Sequence, residues 1–138
     1  MRTKYGVMLA IFGYILFFFC MEGWGADWRL LGKTSIGDHY YDAESIIIPS
    51  KGIVRVVEKV VLSEKGRLAA KKYTTENVTY SLVEYEIDCS NPTTLHTIWA
   101  TAYAQDDSPI SGIDYRIDYP TDVTPDPHAE ALYEKVCK

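Results

Sequence analysis

Apolar and polar residues alternate along the middle of the chain with the two-residue period of β-strands. The densest run, Ile53–Leu62, is rich in β-branched residues and sets Arg55 and Lys59 opposite a valine-lined face. Val78–Cys89 alternates in the same way, with Cys89 on its apolar side. Further strands are predicted at Trp28–Lys33, His39–Ile48, Leu95–Tyr103 and Ile113–Ile117. In Leu95–Tyr103, the two-residue period puts Leu95, Trp99 and Tyr103 on one face.

The pattern changes to a helical period at the C-terminus. Asp126 is suited to cap a helix and Pro127 to occupy its first position, where no amide donor is needed. One apolar stripe follows at i, i+3, i+4 and i+7, formed by Ala129, Leu132, Tyr133 and Val136. The polar stretch Ser63–Asn77 predicts a surface connection that is helical over Leu68–Tyr73. The predicted fold is therefore α+β, an antiparallel sheet of five or six strands with a C-terminal helix packed on it.

The first residues have the composition of a secretion signal. Arg2 and Lys4 precede the apolar run Val7–Phe19, which is shorter than the roughly 20 residues of a membrane span. The small residues Gly23 and Gly25 then predict cleavage after Gly25, with Ala26 as the neighbouring alternative. We therefore expect a signal peptide at residues 1–25 and a single exported domain at 26–138.

Two other fates of the N-terminal segment stay open on the sequence. Cys20 would be the acylated residue of a lipoprotein, although bulky Phe19 precedes it where a small residue is required. Tyr5–Met21 would be a strained membrane anchor if it were not cleaved.

Export carries an even pair of cysteines, Cys89 and Cys137, into an oxidising compartment. We predict a disulfide between them, the alternative being two free buried thiols. In a domain of this size such a link is a substantial stabiliser, about 4 kcal/mol in the chain-entropy model.

Charge is distributed unevenly. Residues 27–75 contain nine basic and six acidic residues, whereas residues 76–138 contain three basic and twelve acidic ones. An acidic domain is a poor general binder of nucleic acid, because that affinity comes largely from neutralising phosphates. Four basic side chains nevertheless cluster at Lys65, Arg67, Lys71 and Lys72. They indicate either a solvated loop or a docking patch for an acidic partner or an anionic outer-membrane surface.

No catalytic constellation is recognisable in the sequence. His39, His96 and His128 lack metal-ligand spacing, and the alternating Glu84, Glu86 and Asp88 are typical of a solvated strand face. We therefore predict a protein that is not an enzyme and that needs no cofactor or metal.

The tyrosines supply the other candidate surface. Tyr40 and Tyr41 are adjacent and followed by Asp42, so in a strand one ring faces the core and the other points outward. Tyrosine is enriched at recognition surfaces, because it combines a large contact area with few rotatable bonds. With the four basic residues, Tyr40 and Tyr41 form the candidate binding surface.

Several short motifs, in this order, resemble the bacterial surface-adhesin protein E family. They are Trp28, Tyr40-Tyr41-Asp42 with Ser45-Ile46, Val54-Arg55-Val56 with Lys59, Glu86-Ile87-Asp88-Cys89, and Pro125-Asp126 with Glu130, Leu132 and Val136-Cys137. The chain departs from the family pattern at Val57 and within Asp114–Asp122, where tryptophans are expected. The resemblance implies a small exported domain, an antiparallel sheet with a terminal helix, and a disulfide between its two cysteines. The family's named member is similar to an adhesin that binds host matrix proteins and plasminogen and can dimerise, whereas many relatives resemble envelope proteins of bacteria that have no host.

Together these observations predict an exported, non-enzymatic binding module of a bacterial envelope, at the cell surface or in the periplasm. Its partner would be an unidentified protein, and a homodimer is a further expectation. Membrane contact would come only through the signal segment or a weak surface association. The alternative is a periplasmic structural or accessory protein of an envelope complex, without adhesin activity.

Overall fold

A computed structural model describes residues 25–91, 95–110 and 127–138. The described residues form a single antiparallel sheet in the order β1-β2-β4-β5-β6-β7, with β3 also paired to β4. Its strands are β1 Trp28–Thr34, β2 Gly37–Asp42, β3 Ile47–Ser50, β4 Ile53–Leu62, β5 Tyr80–Asp88, β6 Leu95–Tyr103 and β7 Pro109–Ile110. Two α-helices accompany the sheet, α1 Glu64–Ala70 and α2 Pro127–Val136. The predicted α+β fold is confirmed.

The core lies on one face of the sheet, beneath the terminal helix. The alternation in β4 buries Val56, which packs with Tyr41 of β2 and Ile87 of β5. Leu132 of α2 completes this cluster and is fully buried. Burying one leucine side chain contributes about 1.5–3 kcal/mol, so this contact stabilises the packing of the helix on the sheet.

A disulfide joins the terminal helix to the sheet, as predicted. It links Cys89, directly after β5, to Cys137, directly after the last residue of α2. The Tyr133 hydroxyl also donates a hydrogen bond to the Cys89 carbonyl oxygen at 3.3 Å. One end of the sheet is therefore held to the helix by a covalent bond, a hydrogen bond and the apolar core.

The predicted common face for Leu95, Trp99 and Tyr103 is wrong. A bulge in β6 at Ile98 shifts the register against β5, because Trp99 pairs with Glu84 while Thr97 pairs with the next residue of β5. The extra residue reverses the alternation. Leu95 therefore packs against the core, and Trp99 and Tyr103 lie on the opposite face.

The predicted single strand His39–Ile48 is interrupted. Residues Ala43–Ser45 form a 3-10 turn, in which the Asp42 carboxylate accepts the amide hydrogen of Glu44 at 3.0 Å. The side chain of an aspartate can satisfy a backbone donor outside the strand ladder, so it ends the strand here. β2 and β3 are consequently separate strands that both pair with β4.

The helix predicted at Leu68–Tyr73 begins earlier. It starts at Glu64, because the Ser63 hydroxyl caps it by accepting the Gly66 amide hydrogen at 3.1 Å. Gly66 is buried against the carbonyl of Ile36, where a Cβ would overlap that oxygen. The absence of a side chain at this position allows α1 to pack on the β1–β2 turn.

Some predictions concern parts of the chain outside the described residues. These are the N-terminal segment up to Trp24, the strand at Ile113–Ile117 and the cap at Asp126. Among the described residues, no helix has the length and apolar character needed to cross a membrane.

Candidate functional site

The sheet face opposite α2 carries a band of aromatic and charged side chains. Strand pairing places all of them on this face, because residues that pair directly point to the same side of the sheet. We call this set the aromatic band, and it comprises Trp28, Tyr40, Lys59, Tyr80, Trp99 and Tyr103. Trp99 is its most exposed aromatic residue, with 39% of its surface accessible. The band thus presents large rings on a hydrogen-bonded sheet.

Lys59 lies among the rings of the band. Its Nζ is 4.5 Å from the centroid of the Tyr80 ring and 5.7 Å from that of Trp28. Tyr80 also stacks on Tyr103, with centroids 4.9 Å apart and an interplanar angle of 9°. A cation near the face of an aromatic ring is attracted by its quadrupole, and stacked rings add dispersion. These contacts fix side chains from β1, β4, β5 and β6 before any partner binds.

The Tyr80 hydroxyl is anchored as well. It donates a hydrogen bond to Asp107 Oδ1 at 2.8 Å. Burial of the hydroxyl is the larger cause that raises the pKa of Tyr80 to about 12, and the hydrogen bond to Asp107 adds to the effect. Tyr80 is therefore neutral at physiological pH and serves the band as a fixed ring and hydrogen-bond donor.

Ion pairs border the aromatic band on the same face. Arg55 Nε lies 2.8 Å from Glu86 Oε2, and Lys33 Nζ lies 3.6 Å from Asp38 Oδ2. Both pairs are partly or largely exposed, so each contributes little to stability. On this face, the two ion pairs form a polar rim around an aromatic centre, which is the arrangement found in protein interfaces.

The six residues of the predicted binding surface do not share one surface. Tyr40 belongs to the aromatic band, whereas Tyr41 is 7% exposed in the core on the other face. Tyr41 is thus not a surface residue, because adjacent strand residues point in opposite directions. The basic four, Lys65, Arg67, Lys71 and Lys72, are exposed on and directly after α1, at one end of the sheet.

A buried polar triad was missed from the sequence. His39 of β2 is 5% exposed, and its Nδ1 lies 2.6 Å from Oε1 of the fully buried Glu58 in β4. Its Nε2 lies 2.9 Å from the Thr34 hydroxyl of β1. The triad could have been found from the sequence through Glu58, since this acidic residue occupies an inward-facing position in the valine-rich strand β4. A buried carboxylate needs hydrogen-bonding partners, and alternation predicts where those partners must lie.

The triad links three neighbouring strands through side chains. The order hydroxyl, imidazole and carboxylate is the order of a nucleophile, its base and an orienting acid in hydrolases. Here the imidazole is buried on the core face of the sheet, and the Thr34 hydroxyl also donates to the Gly37 carbonyl oxygen at 3.4 Å. These side-chain contacts therefore add to the backbone pairing of β1, β2 and β4 around one buried histidine.

The other two histidines belong to other elements of the fold. His96 is exposed on β6, opposite Glu86 of β5. His128 lies in the first turn of α2. Within residues 25–91, 95–110 and 127–138, no group of three or more His, Cys, Asp or Glu side chains is placed to hold a metal ion.

The chain was compared with protein-family models, curated proteins and solved structures, and none of them matches it.

Proposed function

We propose that this protein is an exported, non-enzymatic binding module of a bacterial cell envelope. The observation that carries the proposal is the aromatic band on the sheet face opposite α2. Its contact surface would be that band with its polar rim, and its partner a protein. This surface replaces the one expected from sequence, because Tyr41 is buried and the basic residues lie elsewhere.

The chemistry of the band fits protein recognition. Interface residues that dominate binding are enriched in Trp and Tyr. These side chains bury large areas and lose little conformational entropy, because they have few rotatable bonds. Tyr80 is already held by Lys59, Tyr103 and Asp107, so a partner would not have to order it. Preorganisation of this kind lowers the entropic cost of association.

Export is supported by the disulfide and by the predicted signal segment. Disulfides persist mainly in secreted and periplasmic proteins. The resemblance to the protein E family adds the expectation of an adhesin that binds plasminogen and host matrix proteins. The disulfide, the expected signal segment and the resemblance each support the proposed envelope location.

The location is tested by antibody labelling of a C-terminally tagged chain in intact cells and after permeabilisation of the outer membrane. Labelling of intact cells is the expected result for an adhesin. Labelling only after permeabilisation would contradict surface exposure and favour the periplasmic accessory role. Recovery of the tag solely in the cytoplasm would overturn the proposal as a whole.

The contact surface is tested by the binding of the exported chain to immobilised plasminogen and to a preparation of host matrix proteins. Trp99→Ala should weaken binding at least about tenfold, because truncating an interfacial tryptophan commonly costs 2 kcal/mol or more. Ile48→Ala is the matched control, since Ile48 is exposed outside the aromatic band. Equal binding by wild type and both variants would refute the role of the band, and absence of binding would refute the adhesin reading.

A further inference from the structure

One end of the domain combines exposed apolar side chains with a cluster of basic ones. It consists of the β1–β2 turn, α1 and the turns that follow α1. We call it the basic tip, and it comprises Ile36, Lys65, Arg67, Leu68, Lys71, Lys72 and Tyr73, all of which are exposed. It is separate from the aromatic band, so its role goes beyond the proposed function.

Backbone contacts hold the basic tip in place. The Ser63 amide donates to the Ile36 carbonyl oxygen at 2.8 Å, and the Ser63 hydroxyl donates to the Ser35 carbonyl oxygen at 2.8 Å. Gly66 packs directly on the backbone of Ile36. Helix α1 is thereby fixed to the β1–β2 turn, and its side chains project from a defined support.

The apolar residues of the tip are unusually accessible. Leu68 is 62% exposed and Tyr73 is 65% exposed, and Ile36 adds a third large apolar side chain. Single exposed apolar residues are common on protein surfaces. Here three occur at one end of the molecule, and Leu68 is the i+3 neighbour of Lys65 on α1. The tip therefore combines exposed apolar surface with positive charge.

We propose that the basic tip docks on the surface of an anionic lipid bilayer. Lys65, Arg67, Lys71 and Lys72 would meet lipid phosphates, while Leu68 and Tyr73 would enter the headgroup region. Basic side chains are attracted to anionic membranes, and tyrosine is enriched at the level of the headgroups. Leu68 and Tyr73 favour a lipid surface over the phosphate backbone of a nucleic acid, which offers no apolar region for them to enter, and an acidic polypeptide is the alternative that the test below addresses.

The distribution of charge orients this contact. The tip contains four basic residues, with Glu64 and Glu76 as the acidic residues at the ends of its segment. From Glu76 to Lys138, acidic residues outnumber basic ones by twelve to three. Asp106 and Asp107, in the turn after β6, lie at the same end of the sheet as the tip, so the contact would be made by the side of that end formed by the β1–β2 turn and α1. The interaction is weak and reversible, because α1 has only seven residues and carries few apolar side chains.

The test is co-sedimentation of the exported chain with lipid vesicles. One set contains phosphatidylcholine alone, and the other contains equal parts of phosphatidylcholine and phosphatidylglycerol. We expect preferential binding to the anionic set. The K71Q/K72Q variant should weaken it about 25-fold, since each basic residue near the surface contributes about fivefold. Lys51→Gln is the charge control, because Lys51 is exposed in the β3–β4 turn, at the opposite end of β4.

A second variant, L68S/Y73S, tests the apolar contribution. It should weaken binding to anionic vesicles about tenfold, while Ile48→Ser, an exposed apolar control, should leave binding unchanged. Binding to immobilised polyglutamate and to heparin is measured in parallel. Equal binding to both vesicle sets, insensitivity to both tip variants, or capture by a polyanion with no vesicle binding would each overturn the proposal. Unchanged melting temperatures of the variants would show that lost binding does not reflect unfolding.

Discussion

Removing the Cys89–Cys137 disulfide should destabilise the domain strongly. The bond joins residues 48 positions apart, so it closes a long loop that includes β6, β7 and the whole of α2. In the chain-entropy model, a loop of this length is worth about 4 kcal/mol, most of it from restricting the unfolded chain. Since 1 kcal/mol shifts the melting temperature of a domain this size by about 4 °C, we expect the midpoint to fall by about 15 °C.

The apolar contacts of α2 should survive this change at low temperature. Leu132 remains buried among Tyr41, Val56 and Ile87 without the disulfide, and those contacts belong to the folded state. The C89S/C137S variant should therefore fold, retain its near-ultraviolet circular dichroism spectrum in the cold, and unfold earlier on heating. Ser replaces each sulfur without leaving a free thiol.

The assay is thermal unfolding of the wild type with and without reductant, beside the double serine variant. Reductant should lower the wild-type midpoint to that of the variant and leave the variant itself unaffected. Equal midpoints for oxidised and reduced wild type would refute the reasoning, because the loop-closure entropy would then contribute nothing. A variant without native structure at any temperature would also contradict it, since the core alone would not hold α2.

Two further predictions concern buried polar groups. Glu58→Leu should lower the free energy of unfolding by about 1–3 kcal/mol, because it removes the buried carboxylate that the His39 ring contacts. Glu86→Gln, at the partly exposed pair with Arg55, should cost less than about 1 kcal/mol. Equal losses in urea unfolding would contradict this difference. Asp107→Asn should lower the pKa of Tyr80 from about 12, though not to its ordinary value, because burial is the larger cause of the shift. Phenolate absorbance against pH measures this pKa. Since the folded-state pKa of Tyr80 is raised, its contribution to stability is complete below the unfolded-state pKa and is lost as pH rises towards 12. An unchanged titration would refute the hydrogen bond.

Elements with a consistent local pattern could be predicted from the sequence. β4 and β5 alternate cleanly and have the faces expected of them, and the apolar stripe of α2 faces the core. Cys89 follows an alternating strand and Cys137 follows an apolar helical stripe. The disulfide between them could therefore also be predicted from the sequence. In each case, the local periodicity of the sequence and the burial of one face favour the same secondary structure and the same orientation of the side chains.

Contacts between distant residues could not be predicted in this way. The bulge at Ile98 depends on how β6 meets β5, and it alone moves Trp99 to the face of the aromatic band. The cation–π contacts of Lys59 join three strands, and no local sequence pattern specifies the order of these strands in the sheet. The candidate site was therefore only partly foreseeable, with Tyr40 as its one predicted member.

The sequence by itself determined the strand-rich α+β fold, the disulfide and the basic cluster, because each follows from residue type and local spacing. Only the tertiary structure decided which residues meet across the sheet. In the tertiary structure, His39 is buried against Glu58 and Tyr41 lies in the core. Leu68 and Tyr73 lie beside the basic residues at one end of the domain. The physical reason is that strand register and helix packing are cooperative, since a shift of one residue reverses the face of every side chain that follows.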